Sequence, residues 1–185
     1  MHVYDGISDK LARWLLAQPV FFVATAPLAG DGHVNVSPKG MAGTFAVLGS
    51  HRVAYLDYFG SGGETIAHLR ENGRITIMFA AFTGRPNIVR LYGTGRHVLA
   101  DEPEFATLRS HFSKGRTVGQ RSIIVVELDR VQDSCGYSVP FMDFVADRQV
   151  LDLHQEKRGG SHYQGRGHLK NPESIDGLPV IDSPH

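Results

Sequence analysis

An antiparallel β-barrel with helices packed on its outside is the fold class this sequence predicts, on three observations. Short β-branched and aromatic runs follow one another, separated by turns rich in Gly, Pro, Asp and Ser. They come as hairpins and meanders, not as strands alternating with helices, which argues against a parallel βαβ sheet. Gly93 and Gly95 interrupt the longest run, and glycine inside a strand pattern marks the bulge or tight bend that closes a small barrel.

The elements follow in order. Ser8 to Gln18 predicts a first helix: Ser8 is an N-cap, Leu11, Trp14 and Leu15 recur at helical spacing with Ile7, and Pro19 ends it. Trp14 lies on that apolar stripe and is expected in the core. Strands are predicted over Val20–Ala26, Val34–Ser37, Thr44–Leu48 and Arg52–Tyr58. A helix ending near Asn72 follows, with Gly73 at the left-handed C′ position. Further strands are predicted over Arg74–Phe82, Ile88–Ala100 and Arg121–Val131, with a short helix over Pro103–Phe112 between the last two. From Gly159 periodicity vanishes and Gly, Pro, His and Asn become frequent. The chain therefore divides into a domain over residues 1–158 and an extended tail over 159–185. Ile175, Leu178, Val180 and Ile181 are the tail's candidate anchors, on its own domain or on a second subunit.

Composition narrows the function. The 185 residues are 42% apolar and 21% charged, enough for one domain with a real core. Nineteen basic and nineteen acidic side chains cancel, so no charge excess points to nucleic acid or an anionic membrane. Cys135 is the single cysteine, which excludes an intramolecular disulfide and a thiolate metal cluster within one chain. The N-terminal residues lack a signal-peptide pattern and no apolar run reaches bilayer length, so the reading is soluble and cytoplasmic. Ten histidines invite a metal site, yet His154, His162 and His168 match no compact zinc spacing, and His68, His97 and His111 stand apart. No GxSxG elbow or paired-carboxylate motif is present, so any chemistry belongs to a bound cofactor.

Two stretches carry that expectation. In YLDYFGSGGETIAHLRENGR a strand runs into Gly60-Ser61-Gly62-Gly63 and then a helix. Ser61 with Glu64 three residues on reads as a capping box that binds nothing. The same glycine-rich turn also reads as a phosphate seat, with backbone N–H groups and the hydroxyls of Ser61 and Thr65 as donors. In VNVSPKG a strand ends in Pro38, Lys39 and Gly40. Lys39 is either a solvated surface lysine or, if Val34–Ser37 lies beside Arg52–Tyr58, a cation brought to the phosphate turn.

On VNVSPKG, LDYFGSGGETIAHLRENGRITIMF and IVRLYGTGRHVLADEPEF, in that order over roughly residues 10 to 130, the chain resembles the pyridoxamine 5′-phosphate oxidase-like family of FMN-binding split barrels. The tail LKNPESIDGLPVI is similar to that of one branch of it. The resemblance implies a mainly β, six-stranded antiparallel split barrel with flanking helices, paired as a homodimer with FMN at the interface. It implies that backbone groups of Asn35, Val36 and Ser37 meet the flavin and that Lys39 approaches its phosphate. Leu56, Asp57, Ser61, Gly62, Gly63 and Thr65 correspond to the second cofactor-contacting strand and its turn. Arg90, or its neighbours Arg85 and Asn87, would reach across the dimer.

Two departures stand out. Oxidases of the family carry an Arg-Lys pair after the turn serine, where this chain has Gly62-Gly63-Glu64-Thr65. Arg166-Gly167-His168 has the spacing of the family's substrate-binding Arg-x-His pair in a different context, which argues against pyridoxal phosphate synthesis. Two functions are left. One is a flavoenzyme acting on a small organic molecule, with Tyr58, Arg90 and Tyr163 as pocket candidates. The other is a protein that holds FMN, haem or a deazaflavin (F420) without turnover.

Overall fold

The computed structural model describes residues 1–163 and 172–181. Among the described residues eight strands form one antiparallel sheet: β1 (Val3–Tyr4), β2 (Val20–Thr25), β3 (Asn35–Gly40), β4 (Phe45–Gly49), β5 (Arg52–Tyr58), β6 (Arg74–Ala80), β7 (Ile88–Leu99) and β8 (Gln120–Ser134). Their order is β3-β2-β6-β7-β8-β5-β4, with β1 added on β8. The seven strands of the path are the seven runs read from periodicity. The six implied by resemblance is corrected to eight, and β1 escaped notice because two residues make no pattern.

Gly93 makes the bulge expected of it. The β7–β8 register shifts between Tyr92 and Gly93, and a Cβ there would collide with the Glu127 carbonyl. Strand β3 runs through Pro38 to Gly40 rather than stopping at Ser37. It stands at one end of the path and pairs only with β2, an edge position that tolerates proline. The condition that Val34–Ser37 lie beside Arg52–Tyr58 in the sheet is not met: β5 pairs with β4 and β8. β3 and β5 meet instead through side chains across the curl of the sheet.

That curl encloses the main core, where Val23, Tyr55, Ile77, Leu91 and Ile124 are fully buried. Helix α1 (Asp9–Leu16), capped by Ser8, adds Leu11 and Leu15, and Trp14 packs against the same cluster. Helix α2 (Glu64–Glu71) adds Ile66, Ala67 and Leu69. On the opposite face Ala54, Leu56, Ile123 and Val125 pack with Leu108 of α3 (Pro103–Arg109). Strand β8 is thus buried on both faces, which is why SIIVV reads as an unbroken apolar run.

Beyond β8 the chain has no regular structure to residue 149 apart from a turn at 137–138, and then α4 (Val150–Arg158) and a 3-10 turn (Gly160–Tyr163) follow. The periodicity gave no sign of α4, because its pattern is inverted. Asp152 and Gln155 face inward, while Val150 and Leu153 face solvent. Residues 172–181 dock on the same chain. Val180 and Ile181 enter the main core, Leu178 packs against it, and Ile175 stays exposed. No helix among the described residues is long and apolar enough to cross a membrane.

Candidate functional site

Alternation along β3 turns Asn35, Ser37 and Lys39 to one face and Val36 and Pro38 to solvent. Opposite them on β2 stand Thr25, Val23 and Phe21, so the polar strip of β3 lines the open end of the curl. Ser37 Oγ donates to Asn35 Oδ1 at 3.0 Å, and Asn35 Nδ2 reaches Thr25 Oγ1 at 3.2 Å and Thr65 Oγ1 at 3.3 Å. Thr25 in turn meets His68 Nδ1 at 2.9 Å. His68 is fully buried, and its Nε2 has no partner among the described residues.

Lys39 Nζ lies 3.4 Å from Asp57 Oδ1, and 5.9 Å above the centre of the Tyr55 ring. Arg121 Nε donates to Asp57 Oδ2 at 2.8 Å and Ser122 Oγ to the same oxygen at 3.3 Å. Burial pushes the Asp57 carboxyl up, but the charges of Arg121 and Lys39 outweigh it and hold the group below the usual carboxylate range. Two cations and one carboxylate leave this trio with a net positive charge. Asp57 is closed off, whereas the Lys39 side chain is 26% exposed and reachable from solvent.

The turn after β5 sits directly over this trio, since Arg121 Nη1 also donates to the Gly62 carbonyl at 3.0 Å. The expected capping box between Ser61 and Glu64 is corrected. Gly63 is the N-cap, no side chain caps the helix, and the Glu64 carboxylate accepts the Ile175 N–H at 3.2 Å. The tail therefore draws the only first-turn carboxylate of α2 aside. Gly60, Ser61 and Gly62 are exposed, and a Cβ on Gly62 would meet open space. Gly63 is buried, and a Cβ there would collide with Val180. The turn is thus open on its Gly60–Gly62 side and filled by the tail on the other.

The remaining expected residues divide. Thr65 is buried and turned toward Asn35, away from the open side of the turn. Leu56 belongs by its side chain to the second core, and its N–H is taken by the Thr44 carbonyl at 2.8 Å. Arg90 donates to Ser134 Oγ at 3.0 Å, on the face of β7 opposite the buried Val89 and Leu91, and does not join the trio within one chain. Tyr58 receives Gln120 Nε2 at 3.4 Å, and Tyr163 stacks on Phe59 at 5.1 Å, so both border the turn. Arg166-Gly167-His168 lies outside the described residues.

Sequence reasoning missed Arg121, Thr25 and His68. Arg121 was visible only as the first residue of a strong strand. A basic residue at the head of a strand buried on both faces is the signal that could have marked it.

A family model described as pyridoxamine 5′-phosphate oxidase matches residues 7–135. The chain belongs to this family. The whole of the polar cradle, from Thr25 to Ser122, lies inside the match, while α4 and the docked tail lie beyond it. The pyridoxamine 5′-phosphate oxidase family protein ustO of Aspergillus flavus is 41% identical over 194 aligned residues, covering 97% of this chain and 78% of that one. This likeness extends the relationship into the C-terminal segment. Among solved structures, HupZ of Group A Streptococcus matches with a TM-score of 0.56 at 18% identity, over 74% of this chain and 99% of that one. The FAD binding protein of Mycobacterium smegmatis matches with a TM-score of 0.50 at 13% identity, over 72% and 96%. At these identities the two structures attest the split-barrel fold of the pyridoxamine 5′-phosphate oxidase family.

Proposed function

We propose that the chain binds FMN in this cradle as a homodimer and acts as an FMN-dependent oxidoreductase on a small organic molecule. The observation that carries the reading is the open edge of β3. This strand is laddered on one side only, so backbone N–H and C=O groups of the Asn35–Ser37 stretch are free to meet a heterocycle edge or a ribityl chain. Lys39 stands on the same strand beside a turn whose Gly60–Gly62 side is open, next to a helix N-terminus that favours a phosphate. Where other members of the family have an Arg-Lys pair after the turn serine, Arg121 supplies a cation from beneath the turn.

Val34 and Val36 are 69% and 63% exposed on this edge, which suits burial by a second copy. Arg90, remote from its own cradle, would then serve its partner's. When bound, FMN supplies hydride and electron transfer; the chain's residues hold and orient it. A second reading, a carrier of FMN, haem or a deazaflavin without turnover, is favoured by Asp57, which already offsets part of the Lys39 charge.

The test is the visible spectrum of the purified protein with and without FMN, then identification of any released chromophore. A bound flavin that reduced nicotinamide bleaches and air restores with turnover supports the enzyme; bound colour without turnover supports the carrier. Lys39→Ala should weaken FMN by about 1–3 kcal/mol, the scale of a charge-assisted hydrogen bond. Unchanged affinity would remove Lys39 from the site, and a wild-type protein that leaves FMN unperturbed would remove the flavin reading.

A further inference from the structure

Past Lys39, strand β3 ends at Gly40 against a cavity of about 540 Å³. That is within the span of about 300–1,000 Å³ typical of small-molecule sites. Its floor is a rigid aromatic cluster. Phe21 stacks on Phe79 with ring centres 5.4 Å apart, and Phe45 meets Phe79 edge-on at 5.0 Å. Phe82 and Phe144 complete the aromatic lining.

The wall next to β3 is unusual. Met41 lines the cavity with φ +70°, in the left-handed region that a residue with a side chain seldom adopts. Thr44 holds this turn, its Oγ1 donating to the carbonyls of Gly40 and Met41, both at 2.8 Å. Strained backbone kept in place by its surroundings is characteristic of ligand sites. The outer wall is the irregular segment after β8. It is tied down at two points: Met142 N–H donates to the Phe82 carbonyl at 3.0 Å, and Asp147 Oδ2 accepts the Ala42 N–H at 2.9 Å. In residues 141–149 of that segment Asp147 alone is half-buried and the rest are exposed, Phe144 at 59%.

Charge decides what fits. Among the described residues Asp147 is the only charged side chain lining the cavity; Lys114, behind Met41, is already paired with Asp152 at 2.5 Å. A phosphate or carboxylate would find neutral donors such as Gln18, Thr83 and Ser113 but no lining cation and one repelling carboxylate, whereas an amine would find a counter-charge. We infer that this cavity seats an aromatic ring bearing an amine or no charge, and that a phosphorylated compound such as a pyridoxal phosphate is not its occupant. The role of that occupant as substrate rests on the proposed flavin-dependent activity; the binding itself does not.

Calorimetric titration of the full chain, without added FMN, tests this with tryptamine, indole and indole-3-acetate as probes. Tryptamine should bind more tightly than indole-3-acetate. Phe144→Ala, at an exposed position that the fold does not need, should weaken tryptamine roughly tenfold, the scale of one lost aromatic contact. Asp147→Asn keeps an acceptor for Ala42 and should erase the preference for the amine over the acid. Failure of both tryptamine and indole to bind would overturn the inference, and so would tight binding of pyridoxal 5′-phosphate that Phe144→Ala weakens. A cavity filled by a second copy's side chain would show as no tryptamine binding together with loss of the dimer in Phe144→Ala, and would also overturn it. FMN titrated separately into the wild-type protein distinguishes the two readings. Tryptamine binding without FMN binding removes the flavin and leaves the aromatic site standing; the converse leaves the flavin and removes this site.

Discussion

Two buried carboxylates, Asp57 and Asp152, use the same chemistry for different ends. Each is nearly closed to solvent and each meets two cations. Asp57 lies 2.8 Å from Arg121 and 3.4 Å from Lys39, and Asp152 lies 2.5 Å from Lys114 and 3.7 Å from Arg116. Asp57 and its partners are all strand residues, fixed by ladders on β3, β5 and β8, and both of its oxygens are engaged. Asp152 sits on α4, its partners lie in the connection before β8, and its Oδ1 has no partner among the described residues. A buried ion pair stabilises only when its remaining lone pairs are satisfied. The first arrangement therefore holds two cations in a defined place, one of them facing the proposed phosphate seat. The second fastens a late helix onto the barrel.

The largest expected effect comes from breaking the first. Asp57→Ala would leave the buried Arg121 without its counter-ion and should cost about 3–5 kcal/mol in urea unfolding, the scale for removing one partner of a buried pair. Asp57→Asn sharpens the point through pH. The folded carboxyl is held below its ordinary value, so its contribution is complete above roughly pH 4 and is lost as pH falls through the lower folded value. Wild-type stability should fall along that acid limb, and the part of the slope due to this group should be missing in Asp57→Asn. Equal slopes in the two proteins would mean that the trio is no more than a surface-like pair.

The second carboxylate should behave locally. Asp152→Ala removes the clasp between α4 and Lys114, while Gln155, packed over Gly119 and donating to the Phe59 carbonyl at 3.1 Å, and Glu156, 3.4 Å from Arg116, remain as attachments. Amides of residues 150–163 should exchange faster by a factor corresponding to about 1–3 kcal/mol, the penalty for one lost buried partner, while amides of β8 keep their protection. If β8 lost protection to the same degree, α4 would be part of the barrel's cooperative unit and the contrast between the two carboxylates would collapse.

What the sequence made legible follows the same division. Strands β5 and β8 and the Gly93 bulge were readable because their pattern is local: β-branched runs, glycine in a strand, turns of known chemistry. Lys39 was readable as a cation near a phosphate-shaped turn. Its true neighbours were not, because β3 and β5 are unpaired in the sheet and meet only through its curl. Arg121 is separated from Asp57 by 64 residues, and nothing in SIIVVEL says which side chain closes on it. The capping box failed for a related reason. Ser61 and Glu64 have the right spacing, but Glu64 is engaged by Ile175, 111 residues away. Helix α4 was hidden because its inward residues are polar, so a rule built on apolar stripes finds no helix there.

The smallest expected effect concerns how the tail is held over the turn. His33 Nδ1 meets Asp176 Oδ1 at 2.7 Å, and the His33 N–H donates to Asp176 Oδ2 at 2.8 Å, both at the surface. Hydrogen bonding to Asp176 raises the His33 ring above its ordinary value, and hydrogen bonding to His33 lowers the Asp176 carboxyl. The signs set a window. The contribution of His33 is complete below roughly pH 6.5 and is lost as pH rises through its raised folded value; that of Asp176 is complete above roughly pH 4 and is lost as pH falls through its lowered one. The pair is therefore strongest between those limits and weakens on either side and in salt. Val180 and Ile181 stay buried in the core regardless, so His33→Ala should leave the global unfolding midpoint unchanged. Exchange of the Ser174, Leu178 and Val180 amides should rise in His33→Ala at mildly acidic pH and match wild type at alkaline pH. A difference of equal size at both pH values would assign the effect to the lost packing of the imidazole rather than to its charge.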